Sequence, residues 1–220
     1  MTASFESPEF RDLESNYRLL LPEDKHARIL DLGCGHGRIT RYLISLGYGN
    51  VTAIDPDASL VELVRNFCPS AEHTTDTGSY LKSMANTFDL IIAKDVIYYF
   101  PRSDVAELMK YLKSALRPGG ALILEVFNGA TQTGPFVAYK DLGIEWIPTE
   151  PGLRRLLAES GFTDTKLFPI KTKIESPKKA IYFFVNKLWQ FFLRSAHFIE
   201  RGIDSENPTI WTKKIIGYAR

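Results

Sequence analysis

Hydrophobic positions along the chain follow two rhythms. Compact apolar runs recur at Ile29-Leu30, Val51–Ile54, Phe88–Ala93 and Ala121–Phe127. Between them, apolar residues return at helical spacing. Arg38 to Leu46 reads as a helix stopped by Gly47-Tyr48-Gly49-Asn50. Pro56 opens a second, carrying Leu60, Val61, Leu63 and Val64. A polar third strand is read at Ala71–Thr75, then a helix from Gly78 to Met84 with Asp76 as its N-cap. Pro101 and Ser103 begin a long amphipathic helix through Leu116, and Arg117-Pro118-Gly119-Gly120 turns the chain into the next strand. Strand and helix thus alternate, with right-handed crossovers expected. Phe88–Ala93, FDLIIA, is apolar almost throughout, as parallel strands buried on both faces are.

Further elements flank this core. Residues 9–21 read as a helix with Phe10, Leu13, Tyr17, Leu20 and Leu21 at helical spacing, ended by Pro22. Residues 128–148 read as a long loop, which in a compact domain is usually functional or mobile. Its Phe136, Tyr139 and Trp146 are candidates for stacking on a sugar or another flat face. A helix from Glu150 to Ser160 ends in Gly161-Phe162. A sixth strand is read near Lys166–Lys173 and a seventh over Pro208–Ala219.

Ile29 to Gly37 reads ILDLGCGHG, a strand running into a glycine turn and then a helix. Gly33, Gly35 and Gly37 follow G-x-G-x-G, with Asp31 two residues ahead; a dinucleotide fingerprint needs G-x-G-x-x-G, and no P-loop pattern is present. Glycine allows a ligand to approach the backbone closely. Asp55, at the tip of the second strand, has two carboxylate oxygens to match a ribose cis-diol.

Composition narrows the picture. The 220 residues suit one domain, and 45% hydrophobic content supplies a core. A net charge of +1 gives no reason to expect a nucleic-acid partner. Two cysteines form no disulfide framework and fit a reducing cytoplasm. The first ten residues lack the pattern of a signal peptide, and no apolar run is long enough to span a bilayer. His26, His36, His73 and His197 are scattered, so no metal is expected.

The run Asp-Leu-Gly-Cys-Gly-x-Gly at 31–37, Asp55 after the second strand, and RPGGALIL at 117–124 resemble the class I S-adenosylmethionine-dependent methyltransferases over about residues 29–127. The resemblance implies a Rossmann-like, doubly wound, seven-stranded α/β sheet. Its strands are mostly parallel, with the last antiparallel and inserted between the fifth and sixth. It implies one domain over 1–220, with a cofactor core at 28–127, a substrate loop at 128–148 and an inserted amphipathic helix at 178–201. It implies S-adenosyl-L-methionine as cofactor, held by Tyr17, Asp31, Gly33, Cys34, Gly35, His36, Gly37, Asp55, Pro56, Asp76, Thr77, Lys94, Asp95 and Val96. Asp76 would meet the adenine amino group, and Tyr17 with Arg18 would form a lid or simply pack on the sheet.

Beyond residue 127, Asn128, Tyr139-Lys140-Asp141-Leu142, Glu145 and the 150–160 helix resemble small methyltransferases of polysaccharide and lipopolysaccharide biosynthesis. That implies a hydroxyl acceptor on a sugar or glycan precursor. The chain departs from those relatives where histidines are usual, placing Tyr98-Tyr99 and Ile144 there. Base candidates are therefore Asp141, Glu145, Tyr98 and Tyr99, chosen by position.

Lys178 to Arg201 reads as one helix of about six turns. Ile181, Phe184, Val185, Leu188, Phe192 and Ile199 centre its apolar arc, widened by Tyr182, Trp189 and Phe191. Lys179, Lys187, Gln190, Arg194 and Arg201 share the polar side. It fits a membrane surface, a homodimer contact or a cap on the chain's own sheet. Three rival functions follow: O-methylation of a quinone precursor at the membrane surface, an inactive cofactor-binding scaffold, and a nicotinamide dehydrogenase, the last disfavoured by the glycine spacing.

Overall fold

The computed structural model describes residues 10–174, 176–202, 204 and 206–220. Residues 1–9, which include the first position of the expected 9–21 helix and most of the stretch read against a signal peptide, lie outside the described residues. The strands are β1 (Arg28–Leu32), β2 (Asn50–Asp55), β3 (Ala71–His73), β4 (Phe88–Lys94), β5 (Leu116–Phe127), β6 (Thr165–Pro169) and β7 (Lys214–Ala219). They form one seven-stranded sheet in the order β3-β2-β1-β4-β5-β7-β6. β7 is antiparallel to both its neighbours, and the other pairings are parallel. The expected α/β architecture, with the last strand inserted between the fifth and sixth, is the one observed.

Helices α1 (Arg11–Tyr17), α2 (Arg38–Ser45), α3 (Ala58–Arg65), α4 (Thr77–Ser83), α5 (Val105–Ala115), α6 (Thr133–Lys140), α7 (Glu150–Glu159) and α8 (Pro177–Arg201) connect the strands. Strand residues alternate between two cores, because successive side chains point to opposite faces. Leu30, Leu32, Ile91 and Ala93 join Leu108, Leu112, Leu153 and Leu157 of α5 and α7. Ile29, Leu90 and Ile92 join Leu13, Tyr42 and Leu43 of α1 and α2.

Several boundaries differ from expectation. The 128–148 segment is no continuous loop, since α6 occupies its middle. β6 stops at Pro169, which has no N–H to extend a ladder, and β7 begins only at Lys214. The long α5 starts at Val105, because residues 101–104 form a turn closed by the Asp104 N–H on the Pro101 carbonyl at 2.8 Å. Helix α3 begins after Asp57, whose side chain accepts from the N–H groups of Ser59 and Leu60.

The most consequential difference is α8. It leaves the sheet after β6 and returns at β7, and no residue along it is buried. It therefore does not cap the sheet, one of its three sequence-based destinations. Because β6 runs parallel to β5, Pro169 and Lys214 lie at the same sheet edge as Phe127. This is the edge where β1, β2 and β4 also end.

Candidate active site

β1 ends at Leu32, and the next two N–H groups, of Gly33 and Cys34, both donate to the Ile54 carbonyl, at 2.8 and 3.0 Å. This folds the glycine loop against the tip of β2. Gly33 has φ +69°, and a Cβ there would stand 2.3 Å from Val96 Cγ2, so the segment after β4 tolerates no side chain at 33. Gly35 is different: a Cβ there would meet nothing within 4 Å. Its missing side chain opens on a cavity of about 510 Å³ at the carboxyl edge of the sheet.

The cavity is lined by Leu32, Gly33, Gly35, Ile54, Asp55, Pro56, Leu60, Thr74, Thr75, Thr77, Asp95, Val96, Tyr99 and Phe100. Asp55 anchors its floor. One carboxylate oxygen accepts the Gly35 N–H at 2.8 Å and the other the Asp57 N–H at 2.9 Å. Each oxygen keeps a lone-pair site for a ribose hydroxyl. Leu60, Ile54, Val96 and Phe100 supply apolar walls, and Thr74, Thr75 and Thr77 supply polar groups. A bare glycine backbone, an acid with two open acceptor sites and an apolar slot suit a nucleoside with an amino-acid tail. The volume also lies within the range usual for cofactor sites.

Of the cofactor residues expected from sequence, Gly33, Gly35, Asp55, Pro56, Thr77, Asp95 and Val96 line this cavity. Others are placed elsewhere, each for an identifiable reason. Tyr17 is 1% exposed within the α1–α2 core, and its hydroxyl donates to Glu125 Oε2 at 2.7 Å. It is a strut under the sheet, not a lid, while Arg18 is exposed and pairs with Glu14. Asp31 is buried beneath the loop, and its Oδ2 accepts from both the N–H and the hydroxyl of Thr40. Burial pushes its carboxyl up to about 6.

The Cys34 side chain packs with Ala53, Val61 and Val64, and burial pushes its thiol up. His36 is exposed. Gly37 serves packing: a Cβ there would stand 2.6 Å from Phe67 Cζ and 2.9 Å from Val64 Cγ2. Asp76 caps α4 by accepting the Ser79 N–H and lines a neighbouring hollow with Phe100 and Tyr111.

Lys94 belongs to a charged cluster that sequence reasoning missed. Glu125 of β5 accepts from Tyr17, from Lys214 Nζ at 2.8 Å and lies 3.2 Å from Lys94 Nζ. Asp95 is held by both lysines and by the Tyr98 hydroxyl at 2.9 Å. Burial disfavours charge on Lys94, but Glu125 and Asp95 outweigh it and hold the ammonium well above its ordinary range. Burial likewise opposes the Asp95 charge, and Lys214 and Lys94 overcome it. Two acids and two lysines thus fix the turn after β4, where Asp95 adopts φ +60°. The one signal available was an acid, Glu125, inside an otherwise apolar strand.

On the acceptor side the structure brings Tyr99 and Asp141 together. The Tyr99 hydroxyl donates to Asp141 Oδ2 at 2.9 Å, and Asp141 Oδ1 takes the Gly143 N–H at 3.0 Å. Tyr98 is buried and its hydroxyl donates to Asp95, and burial with that carboxylate drives its pKa far up and keeps the phenol protonated. The Glu145 side chain is exposed, while its N–H donates to the Tyr98 carbonyl at 2.8 Å. Phe136, Tyr139 and Leu142 stand exposed, but Trp146 packs against the core. Among the described residues no group of three His, Cys, Asp or Glu side chains is placed to hold a metal ion. No described helix is long and apolar enough to cross a membrane.

Residues 5–167 match the model of a methyltransferase-domain family. The ubiquinone biosynthesis O-methyltransferase of Methylocella silvestris is 31% identical over 62% of this chain and 56% of its own length. The tRNA U34 carboxymethyltransferase of Ectopseudomonas mendocina is 29% identical over 70% of this chain and 50% of its own. The chain thus spans about half the length of the curated relatives it matches. A SAM-dependent methyltransferase from Archaeoglobus fulgidus superposes with a TM-score of 0.67 at 16% identity, covering 94% of this chain and 92% of that one.

Proposed function

This chain belongs to the methyltransferase-domain family and takes S-adenosylmethionine as its cofactor, and from that premise we propose that it O-methylates a small-molecule hydroxyl with Asp141 as the base. The observation that carries the reading is the Tyr99–Asp141 pair, a carboxylate held by a phenol that itself lines the cofactor cavity. Gly33, Gly35, Asp55 and Thr77 are assigned to the cofactor.

Bound S-adenosylmethionine supplies an electrophilic methyl group, so the protein's task is to orient the acceptor and exclude water. The acceptor hydroxyl must lose a proton, and a carboxylate oxygen of Asp141 takes it. Tyr99 keeps its own proton, because burial and the neighbouring Asp141 raise it to about 12. It stays a donor that aims the carboxylate.

The exposed apolar side chains Phe136, Tyr139 and Leu142, within five residues of Asp141, favour an amphiphilic acceptor, a lipidic phenol of the quinone-precursor class. A sugar or glycan hydroxyl, the first expectation from sequence, is the second reading. The exposed rings of Phe136 and Tyr139 favour it as stacking platforms. Two free, buried thiols suit a reducing cytoplasm.

The test begins with calorimetric titration by S-adenosylhomocysteine. It continues with methyl transfer to alkylated catechols, sugar nucleotides and tRNA. Asp141→Asn should lower kcat at least about 100-fold while leaving S-adenosylhomocysteine affinity unchanged. An unaltered kcat removes Asp141 from the chemistry. Cofactor binding with no turnover on any acceptor supports the scaffold reading instead.

A further inference from the structure

Helix α8 leaves most of its apolar arc uncovered. Amphipathic helices normally set their apolar face against the protein. Here the half-buried side is mixed, with Phe183 and Leu193 beside Asn186, Gln190 and His197. Asn186 and Gln190 line a hollow of about 360 Å³ against Pro169, Thr212 and Lys213 at the strand edge. His197 pairs with Asn207 at 3.0 Å and stacks edge-on against Trp211. The outward face carries Ile181, Val185, Leu188, Phe192 and Ile199, with Leu188 70% and Ile199 85% exposed.

Charge is distributed to match. Five cations against one acid, Glu200, give α8 a net +4, and the chain's +1 leaves −3 for everything else. Lys187, Arg194 and Arg201 recur every seven residues, about two turns, and so form a row along one flank of the outward apolar face. The inner hollow adds Lys171 and Lys213 to Lys187, with no carboxylate among its lining residues.

We propose that α8 is a membrane-surface anchor that lays its outward apolar face into an anionic lipid bilayer. Aromatic and aliphatic side chains enter the acyl boundary while the flanking cations meet phosphate headgroups. Self-association is the poorer match, because two such helices would bring like charge together. RNA would answer the cations but leave Ile181, Val185, Leu188 and Ile199 unused. The anchor leaves and rejoins the sheet at the edge where the cofactor cavity opens, which brings that edge to the lipid. The anchor stands independently of which hydroxyl is methylated.

The experiment is flotation of the full chain with phosphatidylglycerol/phosphatidylcholine vesicles and with pure phosphatidylcholine vesicles, paired with tryptophan emission, to which Trp189 is the most exposed of three contributors. Selective flotation with the anionic vesicles and a blue shift of emission are expected. Leu188→Glu/Phe192→Glu alters two exposed positions and should abolish both signals while S-adenosylhomocysteine titration stays normal. Lys187→Glu/Arg194→Glu should weaken flotation at least about tenfold, an effect that salt mimics. Equal flotation with neutral vesicles, or flotation unchanged in either variant, overturns the proposal. So does a chain that ignores vesicles but sediments as a dimer dissociated by Leu188→Glu/Phe192→Glu, or one that binds tRNA instead.

Discussion

Asp55→Asn isolates the floor of the cofactor cavity almost without changing its shape. The carboxylate uses one oxygen for Gly35 N–H, at 2.8 Å, and the other for Asp57 N–H, at 2.9 Å. Both oxygens must be acceptors. Asparagine has a single carbonyl oxygen, and whichever way its amide turns, the NH₂ faces a backbone donor. That end then loses its loop bond, and toward the ribose hydroxyl it exchanges a charged acceptor for a neutral amide donor. A hydrogen bond to a charged acceptor contributes about 1.5–3 kcal/mol and a neutral one about 0.5–1.5. The exchange at the ribose therefore predicts a loss of about 5- to 15-fold in S-adenosylhomocysteine affinity. The loop bond appears separately, as a lower melting temperature of the unliganded protein. Calorimetric titration beside a thermal melt reads both quantities. An Asp55→Asn affinity within about threefold of wild type would refute the ribose assignment.

Three further outcomes follow from the same geometry. Gly35→Val should abolish S-adenosylhomocysteine binding in a protein that still melts cooperatively. Both positions have positive φ and share that strain, but Gly37→Val should cost about 2–4 kcal/mol more stability than Gly35→Val, through the Phe67 contact, and exchanged effects would mean the loop is misassigned. Lys214→Met leaves Glu125 and Asp95 sharing one lysine and should cost about 3–5 kcal/mol in urea unfolding, whereas a cost under about 1 would show the cluster to be solvated. Asp31 titrates in the folded state near 6 against an ordinary 3.8, so its contribution to stability is complete below about pH 4 and lost as pH rises through 6. Asp31→Asn, whose carbonyl can still accept from Thr40, should flatten that slope and raise the melting temperature at pH 7; a lower one would contradict the sign.

The strand–glycine–helix unit was legible in the sequence because its causes are local. Apolar period, glycine spacing and an acid at a strand tip each act within a few residues, and Gly33, Gly35 and Asp55 do line one cavity. The roles of neighbouring residues were not local. Gly37 looks like Gly35 in sequence, yet one meets Phe67, thirty residues on, and the other meets open space. Asp31 and Tyr17 are polar groups near the right loop. Whether such a group faces a ligand or the core depends on partners that the fold brings from elsewhere, here Thr40 and Glu125.

What the sequence by itself determined is the alternation of elements, the glycine turn with its acids, and the wide apolar girth of the 178–201 helix. Only the tertiary structure decided how distant polar groups pair. Lys214 reaches Glu125 across 89 positions, Tyr17 reaches it across 108, and Tyr99 meets Asp141 across 42. It also decided that α8 leaves its widest apolar arc exposed. Periodicity fixes which residues of a helix share a face. Which way that face turns depends on where the flanking strands leave the chain, and β6 and β7 hold both ends of this insertion at the active-site edge.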